Sequence, residues 1–414
     1  MDNAFLNLFF ENQENSPIFL SGFISRQPIL NSKGNVVAYE IIYSESKSHT
    51  TSVINHDSIF TDSILLFGML EFSSKKRAFF NIPKRFLNSE ILIILPPDKV
   101  IIALTSETLN NTETKHHINN LVTKNFSFFS ETSQLKVNKK IIEKINYIKI
   151  DFNSDIVKMS CDINFVKQLN PDCMIIIRNI KTYSDYELLS DFDVDLFQGP
   201  YFSTPQKIKL TEFKLSSNSI NELLRVNLDE DFDFSKIAEI VKKDSSMTTR
   251  FLRLANSAGR KKISIRSIDH ALIYLGQYEV KKVITLFILT ESANNKPEEL
   301  CKQALIRAKF CEAVINIYDP EKSFQAYLVG LLSVLDAIFD FPIERILPSL
   351  GLSEECNRAI INYEGILGII LKKAIQLSEE RIEDNEAILN ISESELNIMY
   401  LNALLNTDYI FNNY

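Results

Sequence analysis

Six short apolar runs constrain the first half of this chain: RAFFNI, ILIIL, KVIIAL, INYIKIDF, MIIIRNI and VDLFQG, all between Phe19 and about Tyr201. Several are uninterrupted rather than alternating, which suits strands buried on both faces of a parallel sheet. Helical segments separate several of them, so the pattern is that of an α/β domain, and its natural closed form is a parallel TIM-like barrel. Active sites in such barrels lie where the strands end.

After Thr211 the period becomes helical almost throughout. Ile237, Ile240 and Val241 share one face, and Phe251, Leu252, Leu254 and Ala255 share the next. In RSIDHALIYLG, Ser267 is placed to cap a helix, Ile268, Ala271, Leu272 and Leu275 form its apolar stripe, and Gly276 fits the position just past its end. The expected fold is therefore α/β plus all-α. It divides into an extension over residues 1–18, a barrel over 19–208, and a helical domain with a C-terminal helical tail over 209–414.

A length of 414 residues suits two to three domains, and 45% hydrophobic with 24% charged residues is enough to build real cores. The formal charge of −8 opposes the broad attraction to phosphate backbones on which general nucleic-acid binders rely. Cys161, Cys173, Cys301, Cys311 and Cys356 show no metal-site spacing and read as thiols in a reducing compartment. The first residues lack a basic start and a small-residue cleavage site. The longest apolar runs fall far below the roughly 20 residues of a membrane span. A soluble cytoplasmic protein without membrane contact is expected.

The segment FISRQPILNSKGNVVAYEIIYS, from Phe23 to Ser44, reads as a strand, a Gly34-containing turn and a second strand that carries Glu40. It resembles the opening hairpin of EAL domains, which bind and hydrolyse cyclic di-GMP, in particular those fused to a C-terminal HDOD domain. Active members of that family hold two divalent cations with carboxylates and one asparagine. The resemblance places Glu40 at the first ligand and Asn81 of FFNIPKRFL at the asparagine. Lys149 and Asp151 of YIKIDF match the family's Lys-x-Asp pair, and Gln198 of DLFQGPYF its late glutamine. Other positions depart from the pattern. Ala103 stands for one glutamate, Glu131 and Thr132 approximately for two adjacent aspartates, Arg178 for a late glutamate, and Ser44 for a phosphate-gripping arginine.

Exchanging a carboxylate for a guanidinium shifts the local charge by two units, and like charges ~4 Å apart repel by roughly 4 kcal/mol at an effective dielectric of 20. On that argument the two-metal site is lost. No cofactor is expected, and magnesium or manganese only if the vestigial site still takes metal. Arg178 is expected to pair with Asp151 or Glu40, filling the emptied place.

From about Phe213 to Ser378 the chain resembles an HDOD domain, a helical scaffold that lacks the metal ligands of HD phosphohydrolases; its one histidine here is His270. Arg260, Lys261, Lys262 and Arg266, with Lys281 and Lys282 nearby, form a basic cluster that is either a solvated face or a docking patch. Three functions follow from the two resemblances. The leading expectation is a non-catalytic signalling adaptor in cyclic di-GMP pathways, an inactive phosphodiesterase homologue that conveys a signal to motility or biofilm through a regulatory protein partner of the HDOD domain. The alternative is a receptor that binds cyclic di-GMP without hydrolysis, through Glu40, Lys149, Arg178 and Gln198. The second alternative is a weak cyclic di-GMP phosphodiesterase. A homodimer is a further expectation, and the acidic chain disfavours nucleic acid.

Overall fold

The computed structural model describes residues 22–45, 72–81, 95–137, 139–153, 155–189, 191–206, 218–228, 232–258, 265–293, 295–379 and 389–413. The expected extension over 1–18, the strand expected at ILIIL save its last residue, the connector around Lys207–Thr211, and Arg260, Lys261 and Lys262 lie outside the described residues.

The apolar runs become strands. β1 (Gly22–Asn31) and β2 (Val36–Glu45) form the expected hairpin. Its turn is tied by the Asn31 Oδ1 acceptor, which takes the N–H groups of Lys33 and Asn35 at 3.0 Å each, and Gly34 turns it at φ +75°. β3 (Arg77–Phe80), β4 (Val100–Ala103), β5 (Ser127–Glu131), β6 (Tyr147–Asp151), β7 (Met174–Arg178) and β8 (Leu196–Gln198) follow in order around a closed eight-stranded barrel. The barrel is not wholly parallel, as the sequence pattern suggested. β2 through β8 pair in parallel, but β1 runs antiparallel to both β2 and β8. A short turn leaves the chain no room for a crossover, so the first pairing has to be a hairpin.

One residue from each strand fills the barrel: Ile29, Ala38, Phe79, Ile101, Phe129, Tyr147, Ile176 and Leu196. The Phe79 ring meets Phe129 at 5.2 Å and Tyr147 at 5.1 Å, both edge to face. The alternate residues, such as Ile148, Ile150, Ile175 and Ile177, are buried on the outer face. Among the outer helices are α1 (Thr112–Thr123) and α2 (Ile156–Leu169), the latter burying Met159, Ile163 and Val166. Both faces are thus covered, which explains the uninterrupted apolar runs.

The second compact unit is helical. It contains α3 (Asn218–Leu228), α4 (Phe234–Lys242), α5 (Ser245–Ala258), α6 (Ile268–Ser292), α7 (Glu298–Ile315), α8 (Ser323–Leu332), α9 (Glu354–Asn362) and α10 (Gly365–Glu379). Ile237, Ile240, Val241, Phe251, Leu254 and Ala255 are all buried. Ser267 caps α6 by accepting the His270 N–H, and Gly276 breaks the helix at φ +73°. The segment expected as one helix and its stop is therefore a helix, a kink and a second helix that continues to Ser292. The last helix, α11 (Glu393–Asn413), belongs to this unit from Ile398 onward and adds Tyr400 against Phe310, with ring centroids 6.4 Å apart. No described helix is long and apolar enough to cross a membrane.

Candidate functional site

The strand period of two builds the site. Two residues beyond the filling layer, on the same inward face, stand Glu40, Ala103, Glu131, Lys149, Arg178 and Gln198, with Asn81 just past the end of β3. Asp151 lies one further inward step along β6. In the antiparallel β1 the same step runs backwards and reaches Gln27, which pairs with Glu40 in register. The candidate residues thus share the carboxyl end of the barrel, where such barrels place their chemistry.

The lower tier is buried. Lys149 is 1% exposed, and its Nζ lies 2.5 Å from Glu40 Oε1. The ammonium also sits 4.4 Å from the Phe129 ring centroid and 5.3 Å from that of Phe79. Gln198 Nε2 donates to Glu40 Oε2 at 2.6 Å and to Gln27 Oε1 at 2.8 Å. Gln198 Oε1 is buried and accepts no hydrogen bond from the described residues. Burial pushes the Lys149 ammonium below its ordinary value, while the charge and hydrogen bond of Glu40 pull it back.

The upper tier is a clamp on one guanidinium. Arg178 donates from Nε to Asp151 Oδ1 at 2.6 Å, from Nη2 to Asp151 Oδ2 at 3.2 Å, and from Nη1 to Glu131 Oε1 at 2.8 Å. Asn179, held in the left-handed region at φ +64°, adds Nδ2 to Asp151 Oδ1 at 2.6 Å. Burial alone would lower Arg178, but the Asp151 hydrogen bond and the charges of Glu131 and Asp151 outweigh it and hold the guanidinium above its ordinary value.

The expected pairing of Arg178 with Asp151 is present, and its second carboxylate is Glu131. Contrary to the expectation from charge exchange alone, Arg178 does not add a bare positive charge, because two carboxylates straddle it. Counting Glu40, Glu131 and Asp151 against Lys149 and Arg178, the formal charge of the mouth is −1. Ala103 is half-buried against the filling layer. Thr132 begins a short helix beyond β5, and Asn81 is exposed. Ser44 lies on β2 opposite Phe23. Sequence reasoning missed Gln27 and Asn179, along with the ring walls Phe79 and Phe129. Only the rings carried a legible signal, the apolar period of β3 and β5.

Magnesium or manganese does not fit this arrangement. Glu131 and Asp151 are committed to Arg178, and Glu40 to Lys149 and Gln198. Among the described residues no three acidic, histidine or cysteine side chains are grouped to hold a cation.

In the helical unit Arg266 is exposed, as a surface cluster requires. Lys281 instead lies over Phe232 at 5.1 Å and Phe324 at 5.7 Å, and Lys282 pairs with Glu279 and Glu312 at 2.8 and 2.9 Å. Those two lysines belong to local packing and ion pairs. His270 is exposed beside Tyr274.

Several known proteins are similar to this chain. The cyclic di-GMP phosphodiesterase CdgJ of Vibrio cholerae is 23% identical over 360 residues, covering 84% of this chain and 83% of that protein. The uncharacterized protein YuxH of Bacillus subtilis is 25% identical over 356 residues, covering 83% of this chain and 87% of its own. A standalone EAL protein from Vibrio cholerae, solved with c-di-GMP bound, superposes with a TM-score of 0.33 at 14% identity, over 45% of this chain and 92% of that one.

The expectation of a non-catalytic adaptor, and of a chain that is not an enzyme, is overturned by CdgJ, since a protein aligned with most of this chain is a phosphodiesterase. The error was to infer the absence of an activity from departures at a few ligand positions, which bear on metal affinity alone. Residues 215–339 match the HDOD domain model. The chain joins a closed eight-stranded barrel to a helical region similar to the HDOD domain.

Proposed function

We propose that the barrel of this chain takes cyclic di-GMP as its ligand at the carboxyl end of its strands. The observation that carries this reading is the convergence of Glu40, Lys149, Arg178 and Gln198 on one mouth from four strands. Gln198 keeps a buried acceptor oxygen without a donor among the described residues. An acceptor left in that state costs about 1–3 kcal/mol, which a ligand N–H or O–H would recover. Arg178 offers a planar guanidinium, a quarter exposed, of the kind that grips phosphate oxygens. The likeness to CdgJ across most of both chains supports a cyclic dinucleotide as the molecule handled. The same likeness favours hydrolysis of the phosphodiester as the second reading.

In this reading the barrel corresponds to residues 19–208, and the helical domain from 209 onward is the docking module for a regulatory protein. The test is equilibrium dialysis of the full chain against cyclic di-GMP, with and without manganese, and chromatography of the recovered nucleotide. Saturable retention, reduced at least tenfold in Gln198→Ala, supports the reading. Recovery of linear pGpG establishes the second reading with it. Neither retention nor conversion overturns both.

A further inference from the structure

The mouth disagrees with the divalent ions that a phosphodiesterase of this resemblance would call for, and the disagreement has one residue at its centre. Three of the five nitrogen–hydrogen directions of Arg178 are spent on Asp151 and Glu131, at 2.6, 3.2 and 2.8 Å. Asn179 fixes Asp151 from the side at 2.6 Å. Both carboxylates therefore lie within hydrogen-bond reach of one planar cation. A guanidinium gripped on two of its edges by carboxylates carries charge-assisted bonds that a divalent ion would have to break before reaching either oxygen pair. The pair of carboxylates thus already holds one cation, and the chain supplies it.

We propose that Arg178 is the resident cation of this barrel mouth: it occupies the Glu131–Asp151 pair, closes it to magnesium and manganese, and makes the site's charge independent of divalent metal. Lys149 has the matching role in the tier below, where it holds Glu40. The proposal concerns the cation alone and does not depend on the dinucleotide reading, so its test contains no nucleotide. Failure of dinucleotide binding leaves the outcome below unchanged.

The experiment titrates the full chain with manganese and follows the free ion by electron paramagnetic resonance. Four proteins are compared: wild type, Asp151→Asn, Arg178→Gln, and the double variant carrying both substitutions. Weak uptake by other surface acids is common to all four and subtracts out. Relative to wild type, Asp151→Asn is expected to leave uptake unchanged, because the pair is already filled. Arg178→Gln is expected to gain a site at least tenfold tighter than any in wild type, and the double variant to lose it again. Three outcomes overturn the proposal: wild-type uptake that falls in Asp151→Asn, equal uptake by wild type and Arg178→Gln, or a gain that survives in the double variant. Should Arg178→Gln fail to fold, the wild-type and Asp151→Asn pair still decides whether the carboxylates are open or closed.

Discussion

Lys149 carries an ammonium to a place with 1% exposure, between two aromatic rings and one carboxylate. Such a charge is tolerable only because Glu40 answers it, and the cost of desolvating both is large enough that the pair contributes little net stability. Breaking it is another matter. Lys149→Met is expected to lower stability by about 3–5 kcal/mol, because Glu40 is left buried and uncompensated. Adding Glu40→Gln is expected to restore most of that loss. Denaturant unfolding of the wild type and of the single and double variants checks this, and additive losses in the double variant would show that the two groups do not act as a pair.

At the scale of elements, close helix contact in the second unit depends on small residues. A Cβ at Gly330 of α8 would stand 2.5 Å from Ala308 Cα and backbone N of α7, closer than real atoms approach. Gly330→Ala therefore has to push α7 and α8 apart, and an overpacking cost of about 1–3 kcal/mol is expected. Thermal unfolding of the variant checks it; an unchanged midpoint would mean that the two helices can slide without loss. The barrel has a comparable point at Gly199, where a Cβ would lie 2.2 Å from the Ile180 carbonyl oxygen at φ +143°. That glycine follows Gln198 directly, so the close approach of the β7 and β8 ends helps set where Gln198 stands.

Over the whole molecule, cysteine reactivity reports burial in both units. Burial pushes the thiols of Cys173, Cys301 and Cys311 up to about 12, and Cys356 is also raised, whereas Cys161 on α2 is exposed. At pH 8 the native chain is expected to react with an aromatic disulfide at Cys161 alone. The region matching the HDOD model ends at residue 339, yet Tyr400 and Leu404 of α11 are buried, and Tyr400 meets Phe310 beside Cys311. Removing residues 398–414 is therefore expected to open Cys311 to the same reagent. Labelling confined to Cys161 in the truncated chain would mean that the helical unit holds its core without that helix.

Much of this was legible in the residues themselves. The runs INYIKIDF and MIIIRNI announced doubly covered strands, and the helical period after Thr211 announced a second kind of packing, because burial on one or two faces writes its period directly into the apolar positions. The resemblance, not the period, singled out Glu40, Lys149, Arg178 and Gln198. It left the partners undetermined. That Arg178 takes both Glu131 and Asp151, that Gln198 spans Gln27 and Glu40, and that β1 closes the barrel against β8 depends on residues brought together across as many as 171 positions of chain. Electrostatic pairing falls off over a few ångströms, so no spacing along the chain encodes it. The sequence by itself determined the kinds of element and, through the resemblance, the candidate residues, and only the tertiary structure decided which of them face one barrel mouth and which charges meet there and cancel.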